Sequence, residues 1–129
     1  MTGKIAFVGL GAMGSAMARV LVEKQFRVTG FDVRPAAVAE LVAAGGNAAA
    51  SAADAAAGAD ALVLMVINAD QAETVLIGEG ALAALAPTAS VVLMSTCAPD
   101  RVVAIAGTVE AAGRAFVDAP VSGGVVGAS

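Results

Sequence analysis

The chain has 129 residues, 59% of them hydrophobic and 14% charged, with a formal net charge of −4. That length suits one compact domain. Seven Lys+Arg against eleven Asp+Glu exclude a basic nucleic-acid footprint over the domain, and a mean hydropathy of +0.87 excludes disorder. Cys97 is the single cysteine and histidine is absent. An internal disulfide, a Cys/His zinc site and a histidine-dependent nucleophilic triad therefore cannot be built from these residues. The longest charge-free stretch, Gly80 to Pro99, is broken by Pro87, Thr88, Ser90, Ser95 and Thr96. A lipid-facing helix tolerates that poorly, so no membrane span is expected.

Lys4–Gly9 is a short apolar run ending in glycine, as expected of a strand buried on both faces. Lys4, this run and Ser15-Ala16-Met17-Ala18 imitate a secretory signal. The glycines at 9, 11 and 14, followed by an acid at 32, fit a cofactor fold better, and a cytoplasmic location is expected. Ala12 to Lys24 reads as a helix with Met13, Met17, Val20 and Leu21 on one side, and Arg27–Asp32 as a second strand. Pro35 opens a helix that ends near Gly45-Gly46. Ser51 and Asp54 form a capping pair for a short alanine helix closed by Gly58.

Ala61–Val66 is the clearest buried strand. Asp70 to Ile77 and Ala81–Leu85 read as helices, Ser90–Met94 as a strand, Pro99 to about Ala112 as a helix stopped by Gly113, and Ala115–Ala119 as a last strand. Apolar strands alternating with helices predict an α/β fold: a Rossmann-type, doubly wound, mainly parallel sheet with helices on both faces. Much of the apolar excess is alanine, so the core is expected to be broad rather than bulky.

Gly9-Leu10-Gly11-Ala12-Met13-Gly14 is a G-x-G-x-x-G between the first strand and the first helix. Gly9 permits the tight turn, Gly11 lets the backbone approach a pyrophosphate, and Gly14 lets the helix sit close to the strand. The helix N-terminus then faces the phosphates. Such glycines also make turns that hold no ligand, but here the strand and helix contexts are both present. Asp32 lies eighteen residues after Gly14, at the end of the second strand, where a carboxylate can accept both adenosine ribose hydroxyls. As a bland alternative it is a solvated acid at a strand end. A carboxylate there repels a 2′-phosphate, which favours NAD over NADP, although Arg34, beyond Val33, could reach such a phosphate. Flavin and S-adenosylmethionine folds share this loop-plus-acid arrangement. Asp118-Ala119-Pro120-Val121-Ser122-Gly123-Gly124 offers either unshielded backbone N–H groups for a carboxylate or a flexible hinge.

With F-V-G-L-G-A-M-G at Phe7–Gly14, M-V-I-N at Met65–Asn68, S-T at Ser95-Thr96 and D-A-P-V-S-G-G at Asp118–Gly124, the chain resembles the N-terminal domain of the β-hydroxyacid dehydrogenases. That family includes 3-hydroxyisobutyrate, 6-phosphogluconate and threonate dehydrogenases and tartronate semialdehyde reductase. The segment Asn68 to Val75, with no proline at Ile67, looks more like the threonate branch than the semialdehyde reductases. The resemblance implies that the loop from Gly9 to Gly14, with Leu10, Ala12 and Met13, holds the pyrophosphate, and that Asp32, Val33 and Arg34 surround the adenosine ribose. It further implies that Met65, Val66 and Ile67 flank the nucleotide, that Thr96 lies beside the nicotinamide, and that Ser122, Gly123 and Gly124 bind a small hydroxyacid substrate. In the family the general acid–base is a lysine in a following helical half. Lys4 and Lys24 sit at the wrong ends of their elements to replace it, and Cys97 lacks a base to activate it. The expectation is thus the cofactor half of an oxidoreductase, with no catalytic residue of its own, homo-oligomeric when joined to the helical half. A non-catalytic NAD-binding module and an imine-reductase-like domain are the alternatives, the Ser-Gly-Gly loop weighing against the second.

Overall fold

The computed structural model describes residues 3–10, 12–66, 68–95 and 97–119, apart from the side chains of residues 12 and 13. Apolar runs too short to bury themselves pair side by side: β1 (Lys4–Val8), β2 (Arg27–Phe31), β3 (Asn47–Ala48), β4 (Ala61–Leu64), β5 (Ser90–Leu93) and β6 (Ala115–Asp118). All pair in parallel, in the order β3-β2-β1-β4-β5-β6. The helices between them are α1 (Ala12–Glu23), α2 (Pro35–Ala43), α3 (Ala52–Ala56), α4 (Ala69–Glu73), α5 (Ala81–Ala84) and α6 (Pro99–Ala111). This is the Rossmann-type sheet that the alternation predicted.

Because successive strand residues point to opposite faces, the sheet has two cores. Phe7, Val28 and Val63 join Leu10, Ala18, Ala37 and Leu41 on the α1/α2 face. Ala6, Val8, Leu62, Leu64, Val91 and Leu93 meet the remaining helices on the other. Nine buried alanines lie in that second core, and those on its helices, among them Ala52, Ala55, Ala56 and Ala72, let short helices lie close to the strands. The core is broad rather than bulky, as the composition indicates.

Two elements differ from expectation. The two-residue β3 was not foreseen, since Asn47–Ala48 lacks any apolar run; it forms because β2 offers an open edge at Thr29 and Gly30. The helix expected over Asp70 to Ile77 splits into α4 and a π-turn, Thr74–Gly78. Five strands also end one or two residues early, β4 most clearly: the Val66 carbonyl accepts a hydrogen bond from Ser95 Oγ (2.5 Å) and leaves the ladder. Ser51 Oγ accepts from the Asp54 amide (3.0 Å), and Asp54 in turn accepts from the Ala50 amide (3.0 Å), so the expected cap is present. Among the described residues no helix is long and apolar enough to cross a membrane.

α1, α2 and α6 all close with the same pair of backbone bonds, in α1 from Gln25 to Val22 and from Phe26 to Leu21. α2 and α6 place glycine at the left-handed position, Gly45 and Gly113, whereas α1 places the exposed Gln25 there, at φ 70°. A side chain in that conformation costs about 1–2 kcal/mol, partly offset by the greater unfolded-chain entropy of glycine. Gln25→Gly should therefore raise stability by roughly 0.5–1 kcal/mol, read as a higher urea midpoint at unchanged slope.

Candidate functional site

In a parallel sheet of this order, the chain leaves β1 and β4 in opposite directions and opens a crevice at their C-terminal ends. The structure has a groove there of about 670 Å³, lined by Gly9, Asp32, Arg34, Met65, Val66 and Val75 among others. Its size is that of a small-molecule site.

Two glycines shape its floor. Gly9 turns the chain out of β1 at φ 97° while its N–H still donates to the Phe31 carbonyl (3.1 Å). A Cβ on Gly9 would collide with the Met65 carbonyl, so the turn and the β4 exit share one space. A Cβ on Gly14 would strike the Gly9 carbonyl and come within 3.3 Å of the Phe7 ring. α1 can thus seat its first turn against β1 only without a side chain at that position.

Asp32 joins the loop to β2. Its Oδ2 accepts the Leu10 N–H (2.7 Å), and its Oδ1 accepts the Arg34 N–H (2.8 Å) and Nε (3.2 Å). Its side chain is only 8% exposed. Burial alone would push the carboxyl up, but the Leu10 amide and the Arg34 guanidinium and amide outweigh it and hold it below the usual carboxylate value. Of about four acceptor positions on a carboxylate, three are already used. Arg34 also reaches the Leu10 carbonyl (3.2 Å), which accepts Ser15 Oγ as well (2.9 Å). The Leu10 side chain is buried in the α1/α2 core, so this residue reaches Asp32 and Arg34 through its backbone alone. Val33 stands 86% exposed at the mouth.

On the opposite side, Met65 and Val66 line the groove beyond β4. The buried Ser95 fixes the Val66 carbonyl, and Arg101, in the first turn of α6, pairs with Asp70 (2.6 Å) and Glu73 on α4. Cys97 is half-buried; burial and Asp118 push its thiol up despite Arg101. That is the opposite of an activated thiolate. Sequence reasoning missed Val8, Phe31, Gln71, Thr74, Val75 and Glu79, which complete the lining. The four-residue spacing of 71, 75 and 79 was the available signal. Among the described residues no cluster of three or more His, Cys, Asp or Glu could hold a metal. Gly11, Ile67, Thr96, Ser122, Gly123 and Gly124 lie outside the described residues, and Ala12 and Met13 are placed only as the first turn of α1.

Residues 4–129 match a family described as the NAD binding domain of 6-phosphogluconate dehydrogenase. An NAD-dependent L-serine dehydrogenase of Pseudomonas aeruginosa is 42% identical over 98% of the chain and 43% of its own length. The solved Mycobacterium tuberculosis 3-hydroxyisobutyrate dehydrogenase with L-serine superposes with a TM-score of 0.92 at 34% identity, covering 98% of this chain and 43% of that one. An imine reductase from a Pseudomonas species superposes with a TM-score of 0.82 at 27% identity, again over 98% and 43%. The chain thus spans about 43% of the length of these relatives.

Since the folded Asp32 carboxyl titrates below its unfolded value, its stabilisation is complete above the usual carboxylate pKa and is lost as pH falls through the folded value. Asp32→Asn should cost about 1–2 kcal/mol at pH 7. In denaturant titrations the gap to wild type should hold from pH 8 to pH 5 and narrow below about pH 4. A gap unchanged at pH 3 would place its origin outside the charge.

Proposed function

The chain belongs to the family of the NAD-binding domain of 6-phosphogluconate dehydrogenase, and from that premise we propose that it is the cofactor-holding half of an oxidoreductase that moves hydride between NAD and the alcohol carbon of a short-chain 3-hydroxyacid. The observation that carries this reading is a groove at the β1/β4 crevice with a glycine-built floor and a buried carboxylate, Asp32, at one end. NAD, when bound, supplies the hydride acceptor. Backbone amides of the loop from Gly9 to Gly14 and the N-terminus of α1 face the pyrophosphate. Asp32 accepts the adenosine ribose hydroxyls, the ribose replacing the exposed Arg34 guanidinium on Oδ1. Met65, Val66 and Ile67 shield the nucleotide from water, Thr96 lies beside the nicotinamide ribose, and Ser122 with the Gly123 and Gly124 amides orients the substrate carboxylate. The hydroxyl proton goes to a lysine of a following helical half, a contribution of typically 10²–10⁴-fold. No histidine stands in for it in this chain.

Three outcomes test this reading. Titration calorimetry should show tighter binding of NAD than of NADP, with Asp32→Asn narrowing the difference; equal or tighter NADP binding would mean that Arg34 governs the site. Gly11→Val should abolish dinucleotide binding while circular dichroism stays native, and a folded variant of unchanged affinity would refute the pyrophosphate assignment. In an NADH absorbance assay with threonate, 3-hydroxyisobutyrate, L-serine and glycerate, the chain alone should bind NAD without turnover, whereas a chain extended by the native helical half should turn over. Comparable turnover by the chain alone would place the proton acceptor within residues 1–129. The superposition on an imine reductase favours a second reading, which the same assay separates: an extended protein that reduces a cyclic imine and ignores every hydroxyacid belongs to that class.

A further inference from the structure

We infer that Glu79 recognises the amino group at position 6 of the adenine base, so that the groove selects an aminopurine dinucleotide over its 6-oxo counterpart. The inference rests on the NAD reading above, which Asp32 orients: with the ribose at Asp32, the base extends away from the glycine loop within the same groove, whose lining includes Phe31, Val75 and Glu79. Phe31 and Val75 are apolar and suit the faces of a flat ring. Glu79 is the acid contributed to this groove by the wall opposite Asp32 and Arg34.

The π-turn is what sets Glu79 there. Residues four apart on an α-helix drift around the axis by about 40°, so a stripe through 71, 75 and 79 would wander by about 80°. A π-turn rotates less per residue and brings the following residue back toward the stripe. Here the Glu79 N–H donates to the Thr74 carbonyl (2.8 Å), the five-residue bond of that turn, and Gln71, Val75 and Glu79 all line the groove. An ionised carboxylate only accepts hydrogen bonds. The 6-amino group of adenine donates, whereas a 6-oxo base presents an acceptor at that atom and carries its nearest donor, N1–H, one ring position away. Discrimination at such a position comes from leaving one group unpaired.

The test compares NAD with nicotinamide hypoxanthine dinucleotide by titration calorimetry on the chain. Wild type should bind NAD roughly three- to tenfold more tightly. Glu79→Gln, whose amide can turn either atom to the base, should bring the ratio close to one; Glu79 is exposed, so the variant keeps its core. Equal affinity of wild type for the two dinucleotides, or a preference that Glu79→Gln retains, would overturn the inference. Asp32→Ala separates this outcome from failure of the NAD reading itself. It should weaken both dinucleotides alike, and undiminished binding of both would remove the adenosine from this end of the groove and overturn the two assignments together.

Discussion

The hydrogen bond from the Leu10 amide to the Asp32 carboxylate holds the turn after β1 against the end of β2. Without it, the two strand exits that form one side of the groove would be joined by the Gly9 amide on the Phe31 carbonyl and by the exposed Arg34 guanidinium on the Leu10 carbonyl. The bond is nearly dry, and a buried charge is tolerable only where donors surround it. Asp32 meets that condition through its three contacts, and the same contacts shape the site. They draw Arg34 over the loop and bury the Leu10 side chain beside Leu41 in the α1/α2 core. Even the absence of a side chain at Gly30 belongs to this arrangement, for a Cβ there would crowd both Leu10 and Leu41.

The opposite wall is held by two contacts of unequal weight. Arg101 spans from α6 to two acids of α4, but its side chain is 36% exposed and that of Asp70 is 80% exposed, and such solvent-screened pairs contribute little. The Ser95 side chain is buried, so its bond to the Val66 carbonyl is better shielded from water than the Arg101 pairs. Ser95 is therefore the firmer link between the β4 and β5 exits. The π-turn beyond α4 is the irregular part of that wall, and π-turns concentrate at functional sites because they re-aim side chains that a regular helix would turn away.

Much of this was legible in local patterns. Gly9, Gly14 and Asp32 announced themselves by spacing, because each answers a backbone or charge requirement that few other residues meet. The helix ends at Gly45 and Gly113 and the Ser51–Asp54 cap were equally local. What stayed hidden depended on partners distant in sequence. Nothing in Asn47–Ala48 says strand until β2 presents a free edge, and nothing in Thr74–Gly78 says π-turn. Ser95 was quoted only as part of a motif, its bond to Val66 spanning twenty-nine residues.

The sequence by itself determined the parallel α/β architecture, the glycine loop with its acid, and the family, because period-2 and period-3.6 apolar patterns and positive-φ turns are written in neighbouring residues. Only the tertiary structure decided that Asp32 is already engaged by Leu10 and Arg34, that Leu10 serves the core, and that Gln71, Val75 and Glu79 line the groove. Those outcomes follow from which segments meet across the β1/β4 crevice. That meeting is fixed by strand order and by packing on both faces of the sheet, and no local stretch of sequence encodes it.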